Sequence, residues 1–504
     1  MQLINKKVHF IGIKGIGLSA VAQYFFWAGA RITGSDGKEE FPTDAVLKRL
    51  KIPVKLFSPE NIKPGLDLVI YSSAYNENHP EIKKAVQLKI PLKSYGEVLA
   101  GIFNNGKNKI VVAGSHGKTT TTALLGHLLD VAGYKPTVFV GGIVNNWQSN
   151  FKKGLPAGRQ GNNNWLVAEG DEYQKKFLFL KPDYLLITNI DFDHPDCFKN
   201  KKEYREAFEE LKKQTKKNIF SGQKISPIFR KFLAKIDFPL LGEKNKENAY
   251  LVYRLAKELK ISDKKIKTAF ETFKGVKRRM EIIKELKIIK TCAVALKNIP
   301  QALKDWFPTA VGISAPREKT CLPAGRNSRP LESEYSGSER QWRKSQIVNC
   351  KLKIIDDYAH HPEEIKATLS ALKEKYPDYK ILAIFQPHTF SRTKSLMTDF
   401  GKCFQKADFV YLLPTFASAR EQKPKENIDE LLLKEVGKYH RNAKSLPFNF
   451  KSLSSEINEL LNSLASQDLA KPDKSRVLNS FIIITIGAGD VYKIAEKLNE
   501  YGNR

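Results

Sequence analysis

The run Gly114-Ser115-His116-Gly117-Lys118-Thr119-Thr120 carries the strongest chemical signal in the chain. It follows an apolar strand pattern, Lys109 to Ala113, and opens a helical one, Thr121 to Ala132. In that setting backbone N–H groups and the helix dipole bind phosphate oxygens. Lys118 reaches the β- and γ-phosphates of a nucleotide, and the Thr119 hydroxyl can hold Mg²⁺. Val112 stands where the longer phosphate loop has its first glycine, so the motif is the shorter G-x-x-G-K-T. Glu169 ends a later apolar run, Trp165 to Ala168, where a carboxylate would hold the metal. His194 closes Asn189-Ile190-Asp191-Phe192-Asp193-His194, just past the strand pattern Tyr184 to Thr188. Beside a phosphate loop its imidazole is a candidate metal ligand.

A second glycine cluster, Gly12-Ile13-Lys14-Gly15-Ile16-Gly17, leaves the apolar run Val8 to Ile13. A dinucleotide fingerprint needs glycine at 14, where lysine stands. The spacing still gives a turn and a close backbone approach to a pyrophosphate. Asp36, about twenty residues on, can accept hydrogen bonds from a ribose. A Rossmann cofactor and another nucleotide diphosphate both fit this loop.

Three further clusters lie toward the C-terminus. They are Asp356-Asp357-Tyr358-Ala359-His360-His361-Pro362, Gln386-Pro387-His388-Thr389-Phe390-Ser391-Arg392 and Phe416-Ala417-Ser418-Ala419-Arg420-Glu421. Each leaves a strand pattern, and loops at strand C-termini are where α/β proteins build sites. His360 and His361 have no third ligand at zinc spacing, so zinc is not expected.

The elements that must hold these loops alternate between strand and helix. Arg31 to Gly34 and Leu68 to Tyr71 predict strands, with a helix over 19–29 between the strand Val8–Ile13 and Arg31–Gly34. Strand patterns recur at Lys353–Asp356, Ile381–Gln386, Phe409–Leu413 and Phe481–Ile486. The polar break Asn104–Asn108 marks a boundary. The fold class is therefore α/β.

The chain has 504 residues and a formal charge of +30. At roughly 150 residues per domain that length suggests about three domains. The charge implies an anionic partner or a lysine-rich solvated surface. Lys199 to Lys235 carries +8 of it and is expected to be a solvated helix. No aromatic-basic stacking motif accompanies it, so no nucleic-acid partner is expected. The five cysteines are scattered without C-x-x-C, which fits a reducing compartment. No apolar run reaches the roughly 20 residues of a membrane span. Lys14 and Gln23 interrupt the N-terminal apolar stretch, which argues against a signal peptide. Leu-Pro-Ala-Gly-Arg occurs at 155–159 and again at 322–326, inside the irregular segments 154–164 and 291–349. Both segments are expected to be surface insertions.

Together these strings resemble the Mur ligases, over most of the chain from Val8 to Leu498. The strings are His9–Gly17, Gly34-Ser35-Asp36, Ser72-Ser73-Ala74, Gly114–Thr122, Ala168–Glu172, Asn189–His194, Gly275–Arg279, Asp356–Pro362, Gln386–Arg392 and Gly487-Ala488-Gly489. The Asp-Asp-Tyr-Ala-His-His-Pro and Phe-Gln-Pro-His strings are similar to those of the alanine-adding type. The resemblance implies three domains: a Rossmann-like one over 1–106 for a UDP substrate, a P-loop-type ATP-binding one over 107–283, and a Rossmann-like one over 284–504. It implies a cytoplasmic, ATP- and Mg²⁺-dependent ligase that joins L-alanine to UDP-N-acetylmuramate through an acyl phosphate, acting as a monomer or weak dimer. Gly15, Ile16, Gly17, Ser35, Asp36 and Ser72 would line the UDP site. Gly114 through Thr120 would bind ATP, with Asn245 at the adenine and Arg279 and Asp357 brought by the third domain. Thr119, Glu169 and His194 would hold metal. His361, His388, Arg392 and Arg420 would meet the amino acid or the acyl phosphate. Two other readings remain: a ligase that reattaches a recovered peptide to the same nucleotide sugar, and a basic P-loop ATPase acting on nucleic acid.

Overall fold

The computed structural model describes residues 3–154, 164–193, 197–222, 224–291, 347–417, 421, 424–469 and 480–501. His194, Arg420 and most of the two irregular segments lie outside the described residues. The chain divides into two compact units, Met1–Glu281 with Ser370–Lys375, and Ile282–Leu369 with Tyr376–Arg504.

The first unit holds two sheets. One runs β3-β2-β1-β4-β5, from β1 (Lys7–Ile11), β2 (Arg31–Asp36), β3 (Val54–Leu56), β4 (Leu68–Tyr71) and β5 (Leu92–Ser94), all parallel. The strand order reverses at β1 and β4, and open parallel sheets bind ligands at such a point. The second runs β11-β10-β6-β9-β7-β8, from β6 (Asn108–Ala113), β7 (Thr137–Val144), β8 (Ser149–Lys152), β9 (Trp165–Glu169), β10 (Tyr184–Ile187) and β11 (Ile219–Ser221). Only β8 is antiparallel to its neighbour there. Ile110 to Ala113 are fully buried, as expected of a central parallel strand covered on both faces. Register sets Val112 opposite Glu169 and Ala113 opposite Ile187. One end of the sheet thus gathers the glycine loop, Glu169 and the segment after β10.

The second unit holds a sheet in the order β12-β13-β17-β14-β15-β16. Its strands are β12 (Glu281–Thr291), β13 (Ile347–Asp357), β14 (Tyr379–Phe385), β15 (Phe409–Leu412), β16 (Ala443–Ser445) and β17 (Ser480–Ile486).

Two expectations need correction. The helix after the phosphate loop begins at Lys118, not Thr121, so Lys118 and Thr119 lie in its first turn. Lys199 to Lys235 is not one helix. It is a helix Lys201–Lys213, then β11, then a helix Pro227–Leu233. Ile219-Phe220-Ser221 pairs with β10, and Ser226 caps the second helix ahead of Pro227. The first helix is amphipathic: it buries Tyr204, Ala207, Phe208 and Leu211. No described helix is long and apolar enough to cross a membrane.

Candidate active site

The phosphate loop depends on two glycines in left-handed backbone conformations. Gly114 has φ 135° and Gly117 has φ 83°. A Cβ on Gly117 would lie 2.7 Å from the side-chain amide of Asn248. The loop is clamped from behind by Asn189, just past β10. Its Oδ1 accepts from His116 N at 3.1 Å, and its Nδ2 donates to His116 O at 2.9 Å. Ser115 Oγ bonds the Tyr204 hydroxyl at 2.8 Å, so this side chain braces the loop from below. The helix that follows offers the N–H groups of its first turn, which no α-helix satisfies internally.

Lys118 Nζ donates to Gly114 O at 2.6 Å, to Ser115 O at 3.0 Å and to Glu172 Oε1 at 2.8 Å. Burial works against its charge, but the nearby carboxylates of Glu172 and Glu169 outweigh this and raise its pKa. Lys118 is therefore an ammonium folded along its own loop. Thr119 Oγ1 donates to Glu169 Oε1 at 2.9 Å, and Gly141 N on β7 donates to Glu169 Oε2 at 2.7 Å. A Cβ on Gly141 would lie 2.6 Å from that carboxylate, so glycine is needed there too. Burial raises the pKa of Glu169 despite Lys118, these hydrogen bonds and Arg279. A carboxylate and a hydroxyl side by side are hard oxygen donors of the kind Mg²⁺ takes. A cation there would also favour the charged form of Glu169 that burial opposes. Among the described residues no group of three His, Cys, Asp or Glu is placed to hold a metal ion.

Arg279 corrects an expectation. It belongs to the same unit as the phosphate loop, within electrostatic reach of Glu169. Its segment is zipped onto the end of β7 through Lys277 N to Ile143 O and Asn145 N to Gly275 O. Asn245 lies in the first turn of the helix Glu243–Glu258 and donates to Leu241 O at 2.7 Å. Asn248, three residues on and on the same helix face, is the residue that abuts Gly117.

The first glycine loop closes over the end of β1. Gly12 has φ 81°, and its N–H donates to Ser35 O at 2.8 Å. Asp36 accepts from Lys14 N at 2.7 Å and from Gly37 N at 2.8 Å. Lys14 is tolerated because its ammonium turns back to Gly37 O, Glu39 O and Asp44. Ser35 Oγ donates to the fully buried Glu81, which also accepts from Asn61 and Ser58 N. Ser72 follows β4, with its N–H on Ile11 O at 3.0 Å, and Tyr75 lies over Gly12. Tyr95 lies over Gly17, whose Cβ would meet the phenol ring and hydroxyl at 2.7 Å. Asp171 and Glu169 are close enough to Tyr95 to act on its charge.

A buried polar group joins this loop to the second sheet. Asn150 on β8 takes the Gln23 amide on its Oδ1 at 2.8 Å, and its own Nδ2 donates to Ser19 Oγ and to Ile16 O. The glycine loop, β8, β7 and Glu169 are thus held in one framework.

In the second unit Asp357 ends β13 and accepts from Thr368 Oγ1 at 2.5 Å. His361 Nδ1 accepts from Glu363 N at 3.3 Å in the first turn of the helix Pro362–Lys375. His388 follows β14 and stacks on Phe416, with ring centroids 5.8 Å apart. Burial, with Arg392 adding to it, pushes the His388 pKa down to about 4. Its Nδ1 is buried and has no hydrogen-bond partner among the described residues. Glu421 accepts from Phe390 N and Ser391 N, both at 2.7 Å, which fixes the turn that carries Arg392. Thr389 has φ 67°, a strained conformation for a β-branched residue.

Comparison with known families gives three matches in chain order. Residues 7–107 match the Mur ligase family, catalytic domain; 112–283 match the Mur ligase middle domain; 342–469 match the Mur ligase, glutamate ligase domain. The chain belongs to the Mur ligase family. This Mur ligase is 36% identical over 497 residues to the UDP-N-acetylmuramate--L-alanine ligase of Desulfitobacterium hafniense, covering 97% of this chain and 99% of that one. It is 36% identical over 428 residues to the enzyme of that name from Levilactobacillus brevis, covering 85% and 87%. The crystal structure of a UDP-N-acetylmuramate-alanine ligase from Thermotoga maritima shares its fold, with a TM-score of 0.67 at 24% identity over 98% of both chains.

Sequence reasoning gave no role to Glu172, Gly141, Asn189, Asn248, Glu81 or Tyr95 in this Mur ligase. Glu172 and Asn189 lay inside strings already singled out. An acid three residues past Glu169 was a usable signal. Tyr95 and Gly141 carried none, because only the sheet packing brings them to the loops.

Proposed function

We propose that this chain is the ATP-dependent ligase that joins L-alanine to UDP-N-acetylmuramate, a cytoplasmic step in building peptidoglycan precursors. The observation that carries this reading is the meeting of two loops in one unit. Tyr95 lies against Gly17 of the first loop and within electrostatic reach of Glu169, whose carboxylate accepts from Thr119 of the second, and the Asn150 group ties the first loop's helix to β8. A nucleotide sugar on the first loop would present its free end toward a nucleotide triphosphate on the second.

Each residue then has a task. Gly15, Ile16 and Gly17 offer a helix N-terminus to the diphosphate, and Ser35, Asp36 and Ser72 ring the nucleoside side. Gly114 through Thr120 wrap the ATP phosphates, with Asn245 on the side of Asn248 for the base. Lys118 and Arg279 offset the charge that develops as the γ-phosphoryl group passes to the muramate carboxylate. Thr119, Glu169 and His194 would hold Mg²⁺, which supplies further charge neutralisation there. The alanine amine then attacks the acyl phosphate and inorganic phosphate leaves. That amine must be neutral, and His361, His388, Arg392 and Arg420 are assigned to the amino acid and the acyl phosphate, with Asp357 assigned to ATP. His388 is neutral at physiological pH, as a proton acceptor must be. The first two sheets fall within 1–106 and 107–283, and the third begins at Glu281, just inside the end of the second range, which supports a three-domain division close to those bounds.

The test is phosphate release from ATP with Mg²⁺ and UDP-N-acetylmuramate, with L-alanine, with a peptide, or with neither. Release that requires L-alanine supports the reading. Release that requires the peptide transfers the assignment to a recycling ligase. Release driven by DNA in place of both transfers it to a nucleic-acid ATPase.

A further inference from the structure

The Tyr95 hydroxyl occupies a place that neither loop's own residues fill. Tyr95 opens the helix Tyr95–Asn104, and this helix packs on β9, the strand that ends at Glu169. Ser94 and Glu97 form a capping box that fixes this end of the helix. The tyrosine therefore does not swing with a loose terminus. Its ring and oxygen lie against Gly17, where any larger residue would collide with them. The carboxylates of Asp171 and Glu169 are within electrostatic reach of it. The side chain is only half-buried, and among the described residues none takes a hydrogen bond from its hydroxyl, which leaves that hydroxyl able to meet a ligand.

We infer that Tyr95 is a substrate-contacting residue whose hydroxyl donates a hydrogen bond to an anionic oxygen of the nucleotide sugar, on its path from the Gly12–Gly17 loop to the Glu169 end of β9. The oxygen that best fits this place is the carboxylate that accepts the phosphoryl group. The diphosphate is already served by the helix N-terminus at Ile16, and only the far end of the substrate must reach Glu169 and Thr119. The environment suits a donor, because burial, with Asp171 and Glu169 adding to it, raises the Tyr95 pKa and keeps the phenol protonated. A neutral donor also fits beside two acids, where a second cation would compete with bound metal. This inference rests on the ligase reading.

Tyr95→Phe isolates the claim, since it removes one oxygen and no hydrogen bond to any described residue. kcat/KM for UDP-N-acetylmuramate should fall roughly 10- to 100-fold, the range for a hydrogen bond to a charged group. Binding of a non-hydrolysable ATP analogue alone, and the thermal midpoint, should stay as in the wild type. A merely structural tyrosine would instead shift the midpoint or both substrates together. kcat/KM within twofold of the wild type, or ATP-analogue binding weakened in step, overturns the inference. A wild-type protein without turnover would count against the ligase reading itself. Direct calorimetric titration of wild type and Tyr95→Phe with UDP-N-acetylmuramate then still decides the contact: equal affinity overturns it, and affinity lost on removing the hydroxyl supports it.

Discussion

The ion pair between Lys118 and Glu172 allows a quantitative test. Its 2.8 Å contact is enclosed, with the Glu172 side chain 1% exposed and that of Lys118 15%. Lys118→Met deprives a buried carboxylate of its ammonium and should cost about 3–5 kcal/mol of stability. Glu172→Gln should cost less, about 1.5–3 kcal/mol, because Lys118 keeps Gly114 O, Ser115 O and the attraction of Glu169. The double variant leaves neither charge stranded by the other. Its loss should fall short of the sum by about 2 kcal/mol. Urea unfolding of the four proteins, followed by fluorescence and circular dichroism, measures all three numbers. Losses that add to within about 0.5 kcal/mol would refute the pairing and the folded-back position of Lys118 with it.

Glu169→Gln keeps an acceptor for Gly141 N, turns the Thr119 bond round so that the amide N–H donates to Thr119 Oγ1, and removes the charge that burial opposes. It should match or exceed the wild type in thermal midpoint without metal, yet lose ligase turnover, as a melting curve and a phosphate assay would show. Gly117→Ala places a Cβ 2.7 Å from the Asn248 amide at φ 83°. Strain of about 1–3 kcal/mol should weaken ATP binding roughly tenfold or more by calorimetry; unchanged affinity would contradict the loop geometry. The depressed His388 pKa sets a pH window. The neutral imidazole contributes stability above its ordinary value near 6.5, and that contribution is lost as pH falls toward about 4. Between pH 6.5 and 4 the wild type should lose up to about 3 kcal/mol more than His388→Gln in chemical denaturation. Parallel losses would contradict the burial.

Much of this was legible in the sequence because parallel strands covered on both faces read as unbroken apolar runs. Leu68–Tyr71 and Trp165–Ala168 fall within a residue of the strands themselves. The loops that follow such runs then had to lie at sheet ends, which located Gly114–Thr120 and Glu169. What could not be read was contact across elements. Arg279 was expected to be brought to ATP by the third domain, whereas the pairing of Gly275–Lys277 with the end of β7 holds it near Glu169 within the first unit. Asp36 was expected to face a ribose, and it also locks its own loop through Lys14 N and Gly37 N. The Lys199–Lys235 helix failed because three residues with β-pattern, Ile219 to Ser221, find an edge on β10 that no local periodicity announces. Tyr95 and Asn150 are ordinary residues in their own segments. Their significance arises only where two sheets meet.

The most direct test of the central claim uses UDP-N-acetylmuramate labelled with ¹⁸O in its carboxylate, incubated with ATP, Mg²⁺, L-alanine and this protein. The account predicts a nucleotide sugar heavier by one alanyl residue and one ¹⁸O atom carried into each phosphate released. Phosphate without ¹⁸O, or formed with no alanyl product, would contradict it.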